Sequence, residues 1–290
     1  MLTLNKSHIY LILLVILANG FPVIATENTG DPLTIGIFPR RSADVTEKMF
    51  APLVQHIAQQ LNRKVRLETA PDFATFWQKV ARKRYDLVHY NQYHYLRSSA
   101  DFGYQVILKN EEFGHDRIAA AIVVRKDSNI RELTDLKGKI IAFGGGKKAM
   151  ISYIAATDLL REAGLNKGDY FEQFSLTPPK AVMAAYFRQS TAAGAGNYVL
   201  DLPKLRKEID ADEMMYLAIS PAYAHLPWAT SEKVSPTLRK QLQQILSSLK
   251  SSTTGRQILK QAGLTNLKLA TDDEYDPLRK IVDKVLKEKY

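Results

Sequence analysis

"KVRLETAPDFATFWQKVARKRYDLVHYN", Lys64 to Asn91, is the stretch whose reading decides the architecture. "KVRLETA" alternates apolar and polar residues and reads as a strand. "DFATFWQKVARKR" sets Phe73, Trp77 and Val80 on one helical face, and Asp72 stands where an N-cap belongs. "YDLVHY" is an apolar strand. A strand, a crossover helix and a second strand form the unit of a parallel sheet. Upstream, "LTIGIF" from Leu33 to Phe38 is another strand, and Met49, Leu53, Ile57 and Leu61 follow at helical spacing.

The order repeats downstream. "RIAAAIVVRKD" is a strand and "NIRELTDLKGK" a turn with a short helix. "IIAFG" is a strand, and "KAMISYIAATDLLREAGL" a helix that Gly164 is placed to end. "YFEQFSLT", "PKAVMAAYFRQ" and "TAAGAGNYVLDL" supply a strand, a helix and a short strand. Two successive α/β units of about a hundred residues each emerge, an ordinary domain size. Beyond "EMMYLAIS" the pattern turns to amphipathic helices, which are expected to return to the first unit. The expected division is a first lobe over residues 33–117, a second over 118–218, and a return to the first over 219–290. The chain is expected to cross between lobes near Glu112–Ile118 and Leu217–Pro221. Ligands of open α/β sheets bind beyond the carboxyl ends of strands. That rule selects Pro39 and Arg40; His89, Tyr90 and Asn91; Gly144 to Lys148; Pro178, Pro179 and Lys180; and Gly196, Asn197 and Tyr198.

Composition narrows the function. Of 290 residues, 46% are hydrophobic and 24% charged, as in ordinary globular proteins. The net charge of +10 is spread along the chain with no basic run of five, which speaks against a nucleic-acid arm and for a diffuse attraction to anions. The absence of cysteine excludes disulfides, thiolate metal sites, thiol nucleophiles and a lipoprotein anchor. The apolar run Ile9 to Phe21, followed by Val23 and Ala25, reads as a signal peptide over residues 1–25, cleaved on export. An uncleaved anchor is the alternative, but the run is short against the about 20 residues a span needs.

Two constellations could carry chemistry. Gly144, Gly145 and Gly146 join a strand to a helix, where backbone N–H groups can hold an anion. Lys147 and Lys148 are expected in the first helical turn, at the positive end of the helix dipole, where a bound anion would relieve them. The alternative is that both lysines simply face solvent. "HYNQYHYLRS", His89 to Ser98, reads as an aromatic, hydrogen-bonding cleft wall. Metal binding is not indicated, because no acidic cluster accompanies His89 and His94 and their spacing is not that of one helix face. No nucleophile elbow, zinc-binding histidine pair or phosphate loop is present, so neither an enzyme nor a cofactor is indicated.

On these residues the chain resembles the periplasmic substrate-binding proteins of phosphate, phosphite and phosphonate ABC importers. The likeness runs from about Leu33 to about Val282 and rests on "LTIGIFP", the stretch from Met49 to Asn91, "VVRKDSNIRELTDLKGKIIAFG", "ISPAYAHLPW" and the closing helices. The resemblance implies a bilobal class II periplasmic-binding-protein fold that hinges shut on its ligand. It also implies a monomeric protein that delivers a small anion to an importer permease. Tyr90 and Asn91 match the family's aromatic and polar cleft positions. Elsewhere the family pattern is broken. Its Ser-Thr-Ser-Gly run is replaced by Gly145, Gly146, Lys147, Lys148, Ala149 and Met150. Its ligand-side histidine falls near Pro179, and its late acidic residue near Gly196 and Asn197. The resemblance thus carries over the fold and not the ligand, and the strand ends together with the matched positions give the expected ligand set: Arg40, Tyr90, Asn91, Tyr93, Gly145, Gly146, Lys147, Lys148, Pro179, Asn197 and Tyr198. A neutral or aromatic ligand held by Tyr90, Tyr93 and Tyr198 is the alternative, as is a sensory or accessory role for the same fold.

Overall fold

The computed structural model describes residues 31–290, so the expected signal segment over residues 1–25 lies outside the described residues. The chain opens with β1 (Leu33–Ile37), α1 (Ala43–Leu61), β2 (Val65–Glu68), α2 (Phe73–Ala81), β3 (Leu87–His89), α3 (Gln92–Phe102) and β4 (Gln105–Glu111). It crosses into β5 (Arg117–Arg125), β6 (Ile140–Gly144), α4 (Ala156–Glu162), β7 (Phe171–Ser175), α5 (Pro178–Tyr186), β8 (Ala192–Gly196), α6 (Pro203–Arg206) and β9 (Met214–Ala224). It then returns through β10 (Pro227–Thr230), α7 (Pro236–Ser247), α8 (Thr253–Ala262), β11 (Asn266–Leu269) and α9 (Asp276–Leu286).

Among the described residues the strands form two sheets, ordered β11-β4-β10-β3-β1-β2 and β7-β6-β8-β5-β9. The first contains the parallel triplet β3-β1-β2 that the opening stretch called for, closed by antiparallel β10, β4 and β11. The second pairs parallel β7-β6-β8 with antiparallel β5 and β9. Each sheet anchors one lobe of an α/β bilobal fold. Asp72 caps α2 as its position suggests, its carboxylate accepting the Thr75 N–H at 2.7 Å. Gly164 follows α4 with φ of 87°, in the left-handed region that favours glycine.

The chain crosses between sheets twice. The first crossing is a tight turn between β4 and β5, bridged by Glu112 and His115. The second comes later than the sequence suggests. β9 continues to pair with β5 as far as Ala224 opposite Arg117, so the return occurs at His225 and Leu226. Pro221 inside β9 sits in an exposed part of this edge strand, where its missing donor does little harm.

The helices bury their apolar stripes as their spacing requires. In α1, Leu53 and Ile57 are wholly buried against β1, α7 and α8. Pro52 cannot donate to the Lys48 carbonyl one turn back, and Gln261 from α8 supplies the missing donor at 2.9 Å. α9 departs from the expectation that all closing helices lie on the first lobe. Leu278, Ile281, Val282 and Val285 join one apolar cluster that also holds Tyr90 and Leu96 of the first lobe and Phe143, Met150 and Ile154 of the second. On its outer side, Lys284 Nζ pairs with Asp158 Oδ1 at 2.6 Å, and the Arg161 guanidinium donates to the Lys284 carbonyl at 2.7 Å. α9 is long enough to touch both lobes, and its apolar stripe is shared between them.

Candidate functional site

The turn that follows β6 is built by its glycines. Gly144 abuts the start of α5: a Cβ there would lie 2.2 Å from the Pro178 nitrogen. Gly145 and Gly146 take φ of 87° and 80°, which bends the chain away from the sheet. Lys147 and Lys148 are exposed and lie in this turn, not in the first helical turn as expected. The helix begins only at Met150, and it begins wide. The Ile154 N–H reaches the Ala149 carbonyl five residues back at 3.1 Å, so the first segment, Met150–Ala155, is a π-turn that runs into α4. Two consecutive left-handed residues displace the entry of the chain, and the wider turn absorbs the displacement.

This geometry leaves donors free. Among the described residues, the N–H groups of Gly146, Lys147, Lys148, Met150 and Ile151 make no hydrogen bond. Such a group of unpaired amides at a helix entry, in a turn that bears two lysines, suits an anion. Ser152 does not replace the family's hydroxyls, because it is buried and its Oγ donates to the Gly144 carbonyl at 2.5 Å.

The first lobe meets the turn through the start of α3. Asn91 caps that helix by accepting the His94 N–H at 2.9 Å, and its amide donates across to the Lys148 carbonyl at 3.2 Å. The Lys148 ammonium rests over the Tyr93 ring, 5.6 Å from its centroid. Burial, with Lys148 and Arg97 nearby, pushes the His94 imidazole down to about 3, so it is neutral here. Lys147 turns the other way and lies 5.9 Å from the centroid of Phe174.

The remaining expected residues divide. Arg40 stands exposed at the end of β1 and pairs with Glu112 at 3.6 Å, so its charge is partly answered already. Burial alone would raise the Glu112 carboxyl, yet Arg40, His225 and Asn110 outweigh it and hold the pKa low. Pro179 is half-buried at the start of α5, next to the glycine turn. Asn197 spends its side-chain oxygen on the Ala119 N–H at 2.9 Å. Tyr198 stacks on His115 of the first crossing, with centroids 4.7 Å apart and planes 14° from parallel.

Tyr90 is misplaced by the sequence reading. Its side chain is wholly buried in the first lobe, where its hydroxyl meets Ser98 Oγ at 2.5 Å beside Tyr95 and Tyr104. It packs as a core residue. Tyr93 shows its ring to Lys148, but its hydroxyl is taken: it donates to Glu288 Oε2 at 2.7 Å. Glu112 and His115 stand against Arg40 and Tyr198, Glu288 and Tyr290 stand against Tyr93, and none of the four carries a local sequence signal. Each arrives from a loop or from beyond a helix end.

Comparison with known proteins identifies the family and the fold. The family of periplasmic substrate-binding proteins of phosphonate ABC transporters matches residues 35–275. Among solved structures, the chain is similar to a binding-protein component of an ABC phosphonate transporter from Pseudomonas aeruginosa, at 16% identity and TM-score 0.74 over 88% of this chain and 87% of that one. PhnD1 from Prochlorococcus marinus, in complex with methylphosphonate, is 17% identical with TM-score 0.75 over 88% and 98%. The aliphatic sulphonate binding protein SsuA from Escherichia coli is 14% identical with TM-score 0.64 over 88% and 87%. At these identities the solved structures show a shared fold.

Proposed function

The chain belongs to the phosphonate family of periplasmic substrate-binding proteins of ABC transporters, and from that premise we propose that it captures a small phosphonate- or phosphate-like anion at the turn after β6. It passes that anion, as a monomer, to an importer permease. The observation that carries this reading is the set of unpaired amides of Gly146, Lys147, Lys148, Met150 and Ile151, at a turn that also bears two lysine side chains. Amides supply directed donors, and Lys148 supplies the charge that the family's hydroxyls do not. Arg40 plays a smaller part than its position after β1 suggests, because Glu112 competes for it. The lobes divide near residues 117 and 225, and export removes residues 1–25. Among the described residues, no helix is long and apolar enough to cross a membrane.

Calorimetry of the wild type, Lys148→Ala and Arg40→Ala against phosphate, phosphite, methylphosphonate and sulfate tests the reading. A charge-assisted contact contributes roughly 1.5–3 kcal/mol, so Lys148→Ala should cost about tenfold or more in affinity. Arg40→Ala should cost less. Equal binding by all three proteins, or none by the wild type, defeats the anion reading. It would leave the stacked Tyr198–His115 pair as the seat of an uncharged ligand.

A further inference from the structure

The residues that follow α9 fold back onto Tyr93, and Tyr93 carries Lys148. Resting on the anion reading above, we propose that Glu288, acting through Tyr93, is a positioning residue for the Lys148 ammonium. Three contacts hold the Tyr93 ring. Its hydroxyl donates to Glu288 Oε2 at 2.7 Å. Tyr290 donates to the same carboxylate oxygen at 2.8 Å and sets its ring edge-on to Tyr93, with centroids 6.0 Å apart and planes at 80°. His94 packs edge-on from within α3 at 5.5 Å and 82°. The ring is 1% exposed and has little freedom to turn.

Lysine is a flexible side chain, and an exposed one spreads over many rotamers. Lys148 is restrained at both ends. Asn91 holds its carbonyl, and the Tyr93 face attracts its ammonium. A phenol that donates to a carboxylate has a more electron-rich ring, which strengthens that attraction. The ammonium keeps its remaining N–H groups for an anion, and part of the ordering cost of binding is met before the ligand arrives. Lys147 has no such platform. Its ring partner, Phe174, is 38% exposed on the edge strand β7, with no hydroxyl to anchor it.

The test compares the full chain with a chain ending at Lys287 and with Glu288→Ala. α9 closes at Leu286, so both variants should still fold, the shortened chain melting somewhat lower because it also loses the packing of Tyr290. The first readout needs no ligand. In lysine-labelled protein, the Lys148 ε-methylene signal should be shifted upfield by the Tyr93 ring, and the shift should collapse in both variants. The second readout is affinity for methylphosphonate and inorganic phosphate, which should weaken by about two- to fivefold, the range of an exposed cation–π contact. Glu288→Gln still accepts the phenol proton and should rescue both readouts in part. An unchanged methylene signal in the shortened chain overturns the proposal. So does affinity that is unchanged or improved while Lys148→Ala still weakens binding, and that result leaves the anion reading standing. If Lys148→Ala itself has no effect, both fall.

Discussion

Alanine at each of the three consecutive glycines after β6 should separate two kinds of cost in one turn. At Gly144 the cost is contact. The added Cβ would lie 2.2 Å and 2.3 Å from the Pro178 nitrogen and Cα, and 2.5 Å from the Thr177 carbonyl carbon. All three are backbone atoms, so no side chain can rotate away. The start of α5 must retreat by about 1 Å, an overpacking that costs about 3 kcal/mol. For a chain of this size that corresponds to a fall of about 6–12 °C in melting temperature. At Gly146 the site is open, with nothing within 4 Å, and the cost is the left-handed φ of 80° alone. That is about 1 kcal/mol, or about 2–4 °C. Gly145 adds one contact, the Ala149 Cβ at 3.2 Å, and should fall between the two. Thermal unfolding followed by circular dichroism ranks the three, and calorimetry with phosphate reports whether the amides keep their aim. A Gly144→Ala protein that melts within about 1 °C of the wild type, or above Gly146→Ala, refutes the claim that the turn and α5 are in hard contact.

Other perturbations have equally definite outcomes. His89 and His94 are buried and neutral, each pushed from 6.5 down to about 3 chiefly by burial. The unfolded chain therefore binds more protons as pH falls below 6.5. Stability should be full above that value and should drop toward pH 4, each histidine contributing up to about 1.4 kcal/mol per pH unit. A urea midpoint constant between pH 7 and 4.5 would contradict this. Asn91→Ala removes both a helix cap and the bond to the Lys148 carbonyl, so it should cost about 1 kcal/mol in stability and also weaken anion binding. A stability loss with unchanged affinity would show that the cross-lobe bond is idle. Lys284→Ala leaves the Asp158 carboxylate, 10% exposed, without its 2.6 Å partner. The lysine is itself half-exposed, so a loss of about 1–2 kcal/mol is expected, readable by urea titration.

Much of the fold is legible in sequence because its signals are local. Phe73, Trp77 and Val80 fix the face of α2, and Asp72 fixes its start. The alternation of strand and helix then forces parallel pairing. The second crossing carries no local signal. Nothing in "LAISPAYA" ends the strand, and only pairing with β5 decides how far it runs. Tyr90 shows a second limit. Leu87, Val88, His89 and Tyr90 are all buried, so this central strand has no polar side to reveal which way each residue points. The glycine turn was visible, but the π-turn that follows depends on the Ala149 carbonyl receiving both Tyr153 and Ile154. No residue type announces that. Glu288 lies far from Tyr93 in sequence, and only the path of α9 brings them together.

α9 gives the molecule a third tie between its halves, besides the two strand crossings. Two ties define an axle about which the halves can swing freely. A third one, off the axle, converts swinging into sliding. Any large opening must peel Leu278, Ile281, Val282 or Val285 from one half and wet it. Each 100 Å² of apolar surface so exposed costs about 2.5 kcal/mol. The range of motion is thus set by how much of one helix stripe can be uncovered. Substitutions along that stripe, remote from any ligand, become a means of adjusting how far and how often the protein gapes.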